Sequence, residues 1–222
     1  QRGANSQFSA DHVDLTASRA KIFLLGYLLL LDALDRLDDD GRTEASRVLE
    51  RARELGFVTA VETVSSPDPS FRQVATAALR HADIFFTNEV EASLILEEQI
   101  SAKVTCLGSA AEKIAALGCP GHVVVHSTQG AVCHEYDGTL AYQSALKLPD
   151  SFIQGSTGAG DAFTAGFLSG AHDDCTTAEC LCECLCRAAS LSNPTASLGV
   201  VPLAECLNLP QQFGFQKHEK DE

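Results

Sequence analysis

The sequence contains no methionine and opens on Gln1, so the natural N-terminus is expected to lie upstream. Basic side chains are scarce: 16 Lys and Arg stand against 30 Asp and Glu, a formal net charge of −14. Nucleic acids and anionic membranes reward clustered Lys and Arg, so neither is expected as the partner. An anionic nucleotide is still admissible, because backbone N–H groups and a metal ion can hold it. Long apolar runs are also missing. The longest, 22–31, sits between Lys21 and Asp32 with Gly26 inside it, well short of the ~20 residues that span a bilayer. It has neither the basic start nor the small-residue cleavage site of a secretory signal. No linker divides the chain, so one sizeable α/β domain with a buried core is expected.

Cysteine, by contrast, is plentiful, with nine in the chain. An odd number without a secretory signal points to reduced thiols and a cytoplasmic protein. The run Cys180-Leu181-Cys182-Glu183-Cys184-Leu185-Cys186 invites a metal-site reading. On a helix, however, Cys180 and Cys184 share one face while Cys182 and Cys186 point elsewhere. No spaced CxxC pairs converge as in zinc sites. A structural role as small buried groups is expected.

Periodicity predicts strands over 22–25, 57–61, 83–87, 122–126, 131–136 and 139–146. Helices are predicted over 28–37, 43–55, 71–80, 88–96, 109–117, 158–170 and 177–192. Gly56 is placed to close the second helix, and Asp137-Gly138 to turn a hairpin. From residue 211 a polar, mobile tail is expected. Strands alternating with helices imply a three-layer α/β/α sandwich with a mostly parallel central sheet and an antiparallel stretch toward one side. Ligands in such sheets collect beyond the carboxyl ends of the strands.

Chemistry concentrates in Gly155-Ser156-Thr157-Gly158-Ala159-Gly160-Asp161, which runs directly into a helical pattern. The first turn of a helix leaves N–H groups without partners and carries partial positive charge. Glycine at 158 and 160 lets an anion approach that backbone, and Asp161 can take a proton from an attacking hydroxyl. A simple cap would not require Gly-Ala-Gly, and Thr157 and Asp161 are four apart where a capping box needs three. Asn88 and Glu91, just after a strand, share a helix face. Read alone they are ordinary capping groups.

Gly158-Ala159-Gly160-Asp161-Ala162-Phe163, followed by Ala165-Gly166, resembles the C-terminal signature of the PfkB/ribokinase family of carbohydrate kinases. The resemblance implies that Gly158, Ala159 and Gly160 form an anion hole for the transferred phosphoryl group, with Asp161 as general base. It implies a ribokinase-like fold over 1–206, a polar tail over 207–222, ATP as phosphoryl donor and Mg²⁺ as cofactor. Asn88-Glu89-Val90-Glu91 is similar to the family motif that orders Mg²⁺ and its waters, which makes Asn88 and Glu91 the metal organisers. Val123 to Ala131 resembles the nucleotide-binding strand and turn, with Ser127 and Gly130 where glycines are common. Leu191-Ser192-Asn193-Pro194-Thr195, with Gly199 further on, resembles the loop that closes over adenine. Thr157, Ser192 and Asn193 join Ser127 and Gly130 as expected nucleotide contacts.

The sequence departs from the family at Gly155, where an Asp often helps bind a monovalent cation, so a K⁺ site would lack that carboxylate. The β lid and Gly-Gly segment that grip the sugar lie upstream of the position of Gly3 in this family and are expected to be missing here. Family members commonly dimerise through that lid, so the full-length protein is expected to be a homodimer. The expected activity is ATP-dependent phosphorylation of a small sugar or polyol. A nucleoside kinase of the same family and a non-catalytic nucleotide or sugar binder are the alternatives. A Rossmann-type oxidoreductase fits poorly, because the glycine-rich segment comes late and no second strand with a terminal acidic residue follows it.

Overall fold

Uninterrupted apolar triplets such as Ile84-Phe85-Phe86 and Val123-Val124-Val125, all buried, belong to strands covered on both faces, the mark of an inner parallel sheet. The computed structural model describes residues 3–184, 186–193 and 201–217. Its sheet has six strands in the order β1-β2-β3-β4-β5-β6. They are β1 (Ile22–Leu28), β2 (Val58–Thr63), β3 (Ile84–Asn88), β4 (His122–His126), β5 (Gly130–His134) and β6 (Leu140–Ser144). β1 to β4 pair in parallel, with Leu25 opposite Val61, Val61 opposite Phe85 and Phe85 opposite Val123. The last two strands follow connections too short for a parallel crossover and form the antiparallel stretch. Helices flank the sheet, as the mostly parallel sandwich requires.

The chain forms two compact units. The first comprises Gln1–Ser101, Thr105–His126 and His134–Leu140. Its crossovers carry α1 (Asp32–Asp35), α2 (Glu44–Glu54), α3 (Phe71–Leu79), α4 (Glu89–Leu96) and most of α5 (Val104–Ala115). Thr43 caps α2: its hydroxyl accepts from Ser46 N at 3.0 Å, and the Ser46 hydroxyl accepts from Thr43 N at 3.1 Å. Ala45, Val48, Leu49 and Ala52 are its buried stripe, and Gly56 at φ +88 ends it.

The helix expected over 28–37 shrinks to α1. β1 instead runs on to Leu28, which pairs with Thr63. Leu28, Leu29, Leu31 and Leu34 are all buried. Such a run has no polar face to offer solvent, so it serves better as strand and core connection than as an amphipathic helix. Asp35 Oδ2 accepts from Leu31 N at 2.9 Å and holds the short helical turn.

The second unit comprises Ala102–Val104, Ser127–Cys133 and Ala141–Glu222. It contains α6 (Ala159–His172), α7 (Thr177–Glu183), α8 (Cys186–Ser190), α9 (Leu203–Cys206) and α10 (Leu209–Phe213). The single helix expected over 177–192 is therefore two. Where α7 ends, its backbone rests on α6: a Cβ on Gly166 would lie 2.3 Å from the Glu183 carbonyl oxygen. Gly166→Ala should cost about 1–3 kcal/mol through overpacking, read as a lowered melting temperature. An unchanged melting temperature would contradict this packing. Within the described residues, up to Lys217, the tail also differs from the mobile segment expected. Lys147 N donates to Gly214 O at 3.0 Å and Gln216 N to Ala145 O at 2.8 Å, fastening it beside β6 through Phe215. Leu209 adds apolar contact with buried Leu146.

Among the described residues no helix is long and apolar enough to cross a membrane. The split of cysteines follows the helical period: Cys180 and Cys184 are buried and Cys182 is exposed.

Candidate functional site

In the first unit, β3 delivers Asn88 to the start of α4, where it is the N-cap. Its Oδ1 accepts from Val90 N and Glu91 N, each at 2.9 Å. Glu91 returns the contact. Its Oε1 accepts from Asn88 Nδ2 at 2.8 Å, and its Oε2 from Asn88 N at 3.1 Å. Three hydroxyls complete the shell: Thr63 at 2.7 Å and Thr87 at 3.4 Å on Oε2, and Ser65 at 3.1 Å on Oε1. Glu91 is 4% exposed. Burial pushes its carboxyl above the usual carboxylate range, and the bonds from Thr63, Asn88, Ser65 and Thr87 pull the other way.

Sequence spacing places Asn88 and Glu91 on one face, and the structure joins them as a capping box. It gives no sign of the three hydroxyls. Thr63 closes β2 and Ser65 follows it, while Thr87 is the penultimate residue of β3. Polar residues at the carboxyl ends of parallel strands are the signal that could have found them.

These contacts bear on how Mg²⁺ would fit. Asn88 Oδ1 is committed to two backbone donors, and both Glu91 oxygens are committed to N–H and O–H donors. Direct ligation would break the cap. The pair suits holding metal-bound water, which Mg²⁺ keeps when carried by phosphates. Among the described residues no group of three or more His, Cys, Asp and Glu side chains is arranged to hold a metal.

In the second unit, Gly158 precedes α6 at φ +82, a left-handed conformation that favours glycine. Ala159 N donates to Ser156 O at 3.1 Å, and Ala162 N to Gly158 O at 3.0 Å. Among the described residues, the N–H groups of Gly160 and Asp161 have no hydrogen-bond acceptor. They begin a helix of 14 residues, so two unsatisfied donors and the positive end of a dipole coincide. Asp161 and Thr157 are exposed beside them, whereas Ala159 is buried. Gln154 N donates to Leu191 O at 2.8 Å, tying the approach to this turn to the segment holding Ser192 and Asn193. Ser192 Oγ donates to Ala189 O at 2.8 Å, and Asn193 N to Ser190 O at 3.1 Å. Pro194, Thr195 and Gly199 lie outside the described residues.

Ser127 and Gly130 are fixed by the turn between β4 and β5. The Ser127 hydroxyl donates to Ala102 O at 2.7 Å and accepts from Gln129 N at 3.0 Å, and the residue is 2% exposed. A Cβ on Gly130 would lie 2.4 Å from Gln143 O. Packing against β6 thus demands glycine there. The exposed residues of this turn are Thr128 and Gln129.

A family model described as pfkB family carbohydrate kinase matches residues 1–192. No curated protein matches the chain. Among solved structures, a ribokinase from Thermotoga maritima is similar at TM-score 0.67 and 18% identity, covering 95% of this chain and 64% of that one. Arabidopsis thaliana ribokinase, complexed with ribose and ATP, is similar at TM-score 0.62 and 21% identity, covering 74% and 51%. Phosphofructokinase-2 from Escherichia coli, in complex with potassium, is similar at TM-score 0.61 and 17% identity, covering 76% and 52%. The chain thus spans about half the length of the last two.

Proposed function

The chain belongs to the pfkB family of carbohydrate kinases, and on that premise we propose that the full-length protein transfers the γ-phosphoryl group of ATP to a hydroxyl of a small sugar or related polyol. The observation that carries this reading is the start of α6: exposed Asp161 beside the unpartnered N–H groups of Gly160 and Asp161. Asp161 takes the proton of the acceptor hydroxyl as its oxygen attacks phosphorus. The N–H donors stabilise charge on the transferred group, and the Gly-Ala-Gly backbone leaves them accessible.

Mg²⁺, when bound with ATP, supplies charge neutralisation at the phosphates. Asn88 and Glu91 would hold its water shell. Thr157, Ser192 and Asn193 are the nucleotide contacts. Ser127 and Gly130 act by fixing the turn that presents Thr128 and Gln129. Gly155 offers no carboxylate to K⁺. As the premise concerns a chain of partial length, the sugar-gripping lid and a homodimer interface are assigned to the full-length protein.

The test is to incubate full-length protein with ATP, Mg²⁺ and a panel of sugars, polyols and nucleosides, identifying the phosphorylated product by mass. A sugar or polyol phosphate is expected. A nucleoside monophosphate formed in its place would assign the protein to nucleoside phosphorylation instead.

A further inference from the structure

A carboxylate offers about four lone-pair positions on its two oxygens, and Glu91 has a donor for each. Oε1 accepts from Asn88 Nδ2 at 2.8 Å and from Ser65 Oγ at 3.1 Å. Oε2 accepts from Thr63 Oγ1 at 2.7 Å and from Asn88 N at 3.1 Å. Thr87 Oγ1 stands off at 3.4 Å, beyond the roughly 2.5–3.0 Å usual for an O–H···O bond. A further donor, such as water held by Mg²⁺, can therefore reach this carboxylate only where one of the four withdraws.

The four are not equally free to withdraw. Asn88 N makes the return bond of the capping box that starts α4, and Asn88 Nδ2 belongs to the side chain that caps it. Losing either loosens the helix. Thr63 closes β2, pairs with Leu28 of β1 and is 4% exposed. Its hydroxyl is cut off from solvent, so breaking its bond would leave a buried polar group unsatisfied. Ser65 stands apart. It follows β2 in a loop and is exposed, and its bond is the longer of the two hydroxyl contacts. Once released, its hydroxyl passes to water at little cost.

We propose that Ser65 is the exchangeable donor of the Glu91 carboxylate and Thr63 its fixed one. Ser65 yields Oε1 to the water shell of Mg²⁺ that arrives with ATP, while Thr63 holds Oε2 and keeps the carboxylate aimed. Both are positioning residues, acting on that water through Glu91. The proposal rests on the reading of Asn88 and Glu91 as the groups that hold the water shell, and it adds where the shell of donors opens. Two hydroxyls on one carboxylate therefore have opposite effects when removed. Ser65→Ala takes away a competitor for Oε1. Thr63→Val, close to threonine in shape, takes away the support on Oε2.

The experiment measures, by calorimetry on full-length protein, the Kd of a non-hydrolysable ATP analogue with the metal chelated and with saturating Mg²⁺. The first divided by the second is the metal's contribution to binding, and it needs no turnover. Ser65→Ala should raise this ratio about two- to fivefold and Thr63→Val should lower it about three- to tenfold, the scale of one net hydrogen bond. Thr63→Ser restores the hydroxyl and should return the ratio to within about twofold of wild type. A loss of stability alone would leave the ratio unmoved. Ser65→Ala changes an exposed loop residue, so it decides the matter should Thr63→Val fail to fold. A ratio that falls or stays level in Ser65→Ala overturns the proposal while leaving Asn88 and Glu91 in their roles. A wild-type ratio near one would remove those roles and the proposal together.

Discussion

Asp161→Asn in the full-length protein is expected to lower kcat by about 10²–10⁴-fold, the usual share of a positioned general base, while the KM for ATP stays nearly unchanged. Asparagine matches the shape of aspartate but accepts no proton at neutral pH. The side chain is exposed in the first turn of α6, so its replacement opens no cavity. The only structural penalty is the lost attraction between a carboxylate and the helix N-terminus, about 0.3–1 kcal/mol. Activity and stability therefore separate: turnover collapses while the melting temperature moves by a few degrees at most. Steady-state kinetics and thermal unfolding on one preparation check both. Turnover within tenfold of wild type would remove Asp161 from the role of base.

Glu91→Gln is expected to destabilise the first unit by about 1–3 kcal/mol, the cost of a mismatched buried polar group. Glutamine can keep an oxygen where Oε2 receives Thr63 and Asn88 N. Its NH₂ then stands where Oε1 received Asn88 Nδ2 and Ser65. The serine hydroxyl can turn to accept, but the asparagine amide cannot. Adding Asn88→Asp supplies an acceptor there, so the double variant should recover at least half of the loss, a non-additive result. Additive losses would show that the capping box is not the coupled unit described.

The same pair of proteins carries a pH signature. Folding raises the Glu91 carboxyl above its ordinary value of 4.5, chiefly by burial. The folded form therefore binds the proton more tightly than the unfolded chain. The stability contributed by this group is full below that value and lost as pH rises through the folded one. Wild type should accordingly lose stability relative to Glu91→Gln as pH climbs from about 4.5, then level off. Chemical denaturation across that window reads the difference. A wild-type advantage that grows with pH would mean the carboxyl is held low instead.

The start of the 14-residue helix was legible because it depends on local chemistry: small residues, an acid and an apolar period fix α6 to within a residue at its N-terminus. The same holds for the face shared by Asn88 and Glu91, and for the capped helix ending at Gly56. What escaped depends on partners remote in sequence. The place of Ser127 after a strand gives no sign that its hydroxyl turns to the Ala102 carbonyl. Nor does the sequence show that β6 packs against Gly130 too closely for a side chain. The hydroxyls of Thr63 and Ser65 reach Glu91 from 28 and 26 residues away. No periodicity encodes such a contact. The leucines after Gly26 suit helix as well as strand, since apolar runs do not by themselves separate buried strand from buried helix.

The central claim is that the turn before α6 performs phosphoryl transfer and does more than hold a nucleotide. Acceptor-dependent ADP release by the full-length protein, measured beside ATP binding on the same sample, tests it most directly. ATP is expected to bind, with ADP appearing only when a sugar or polyol is added. ATP binding with no ADP release on any acceptor would contradict it and leave a nucleotide-binding protein without this chemistry.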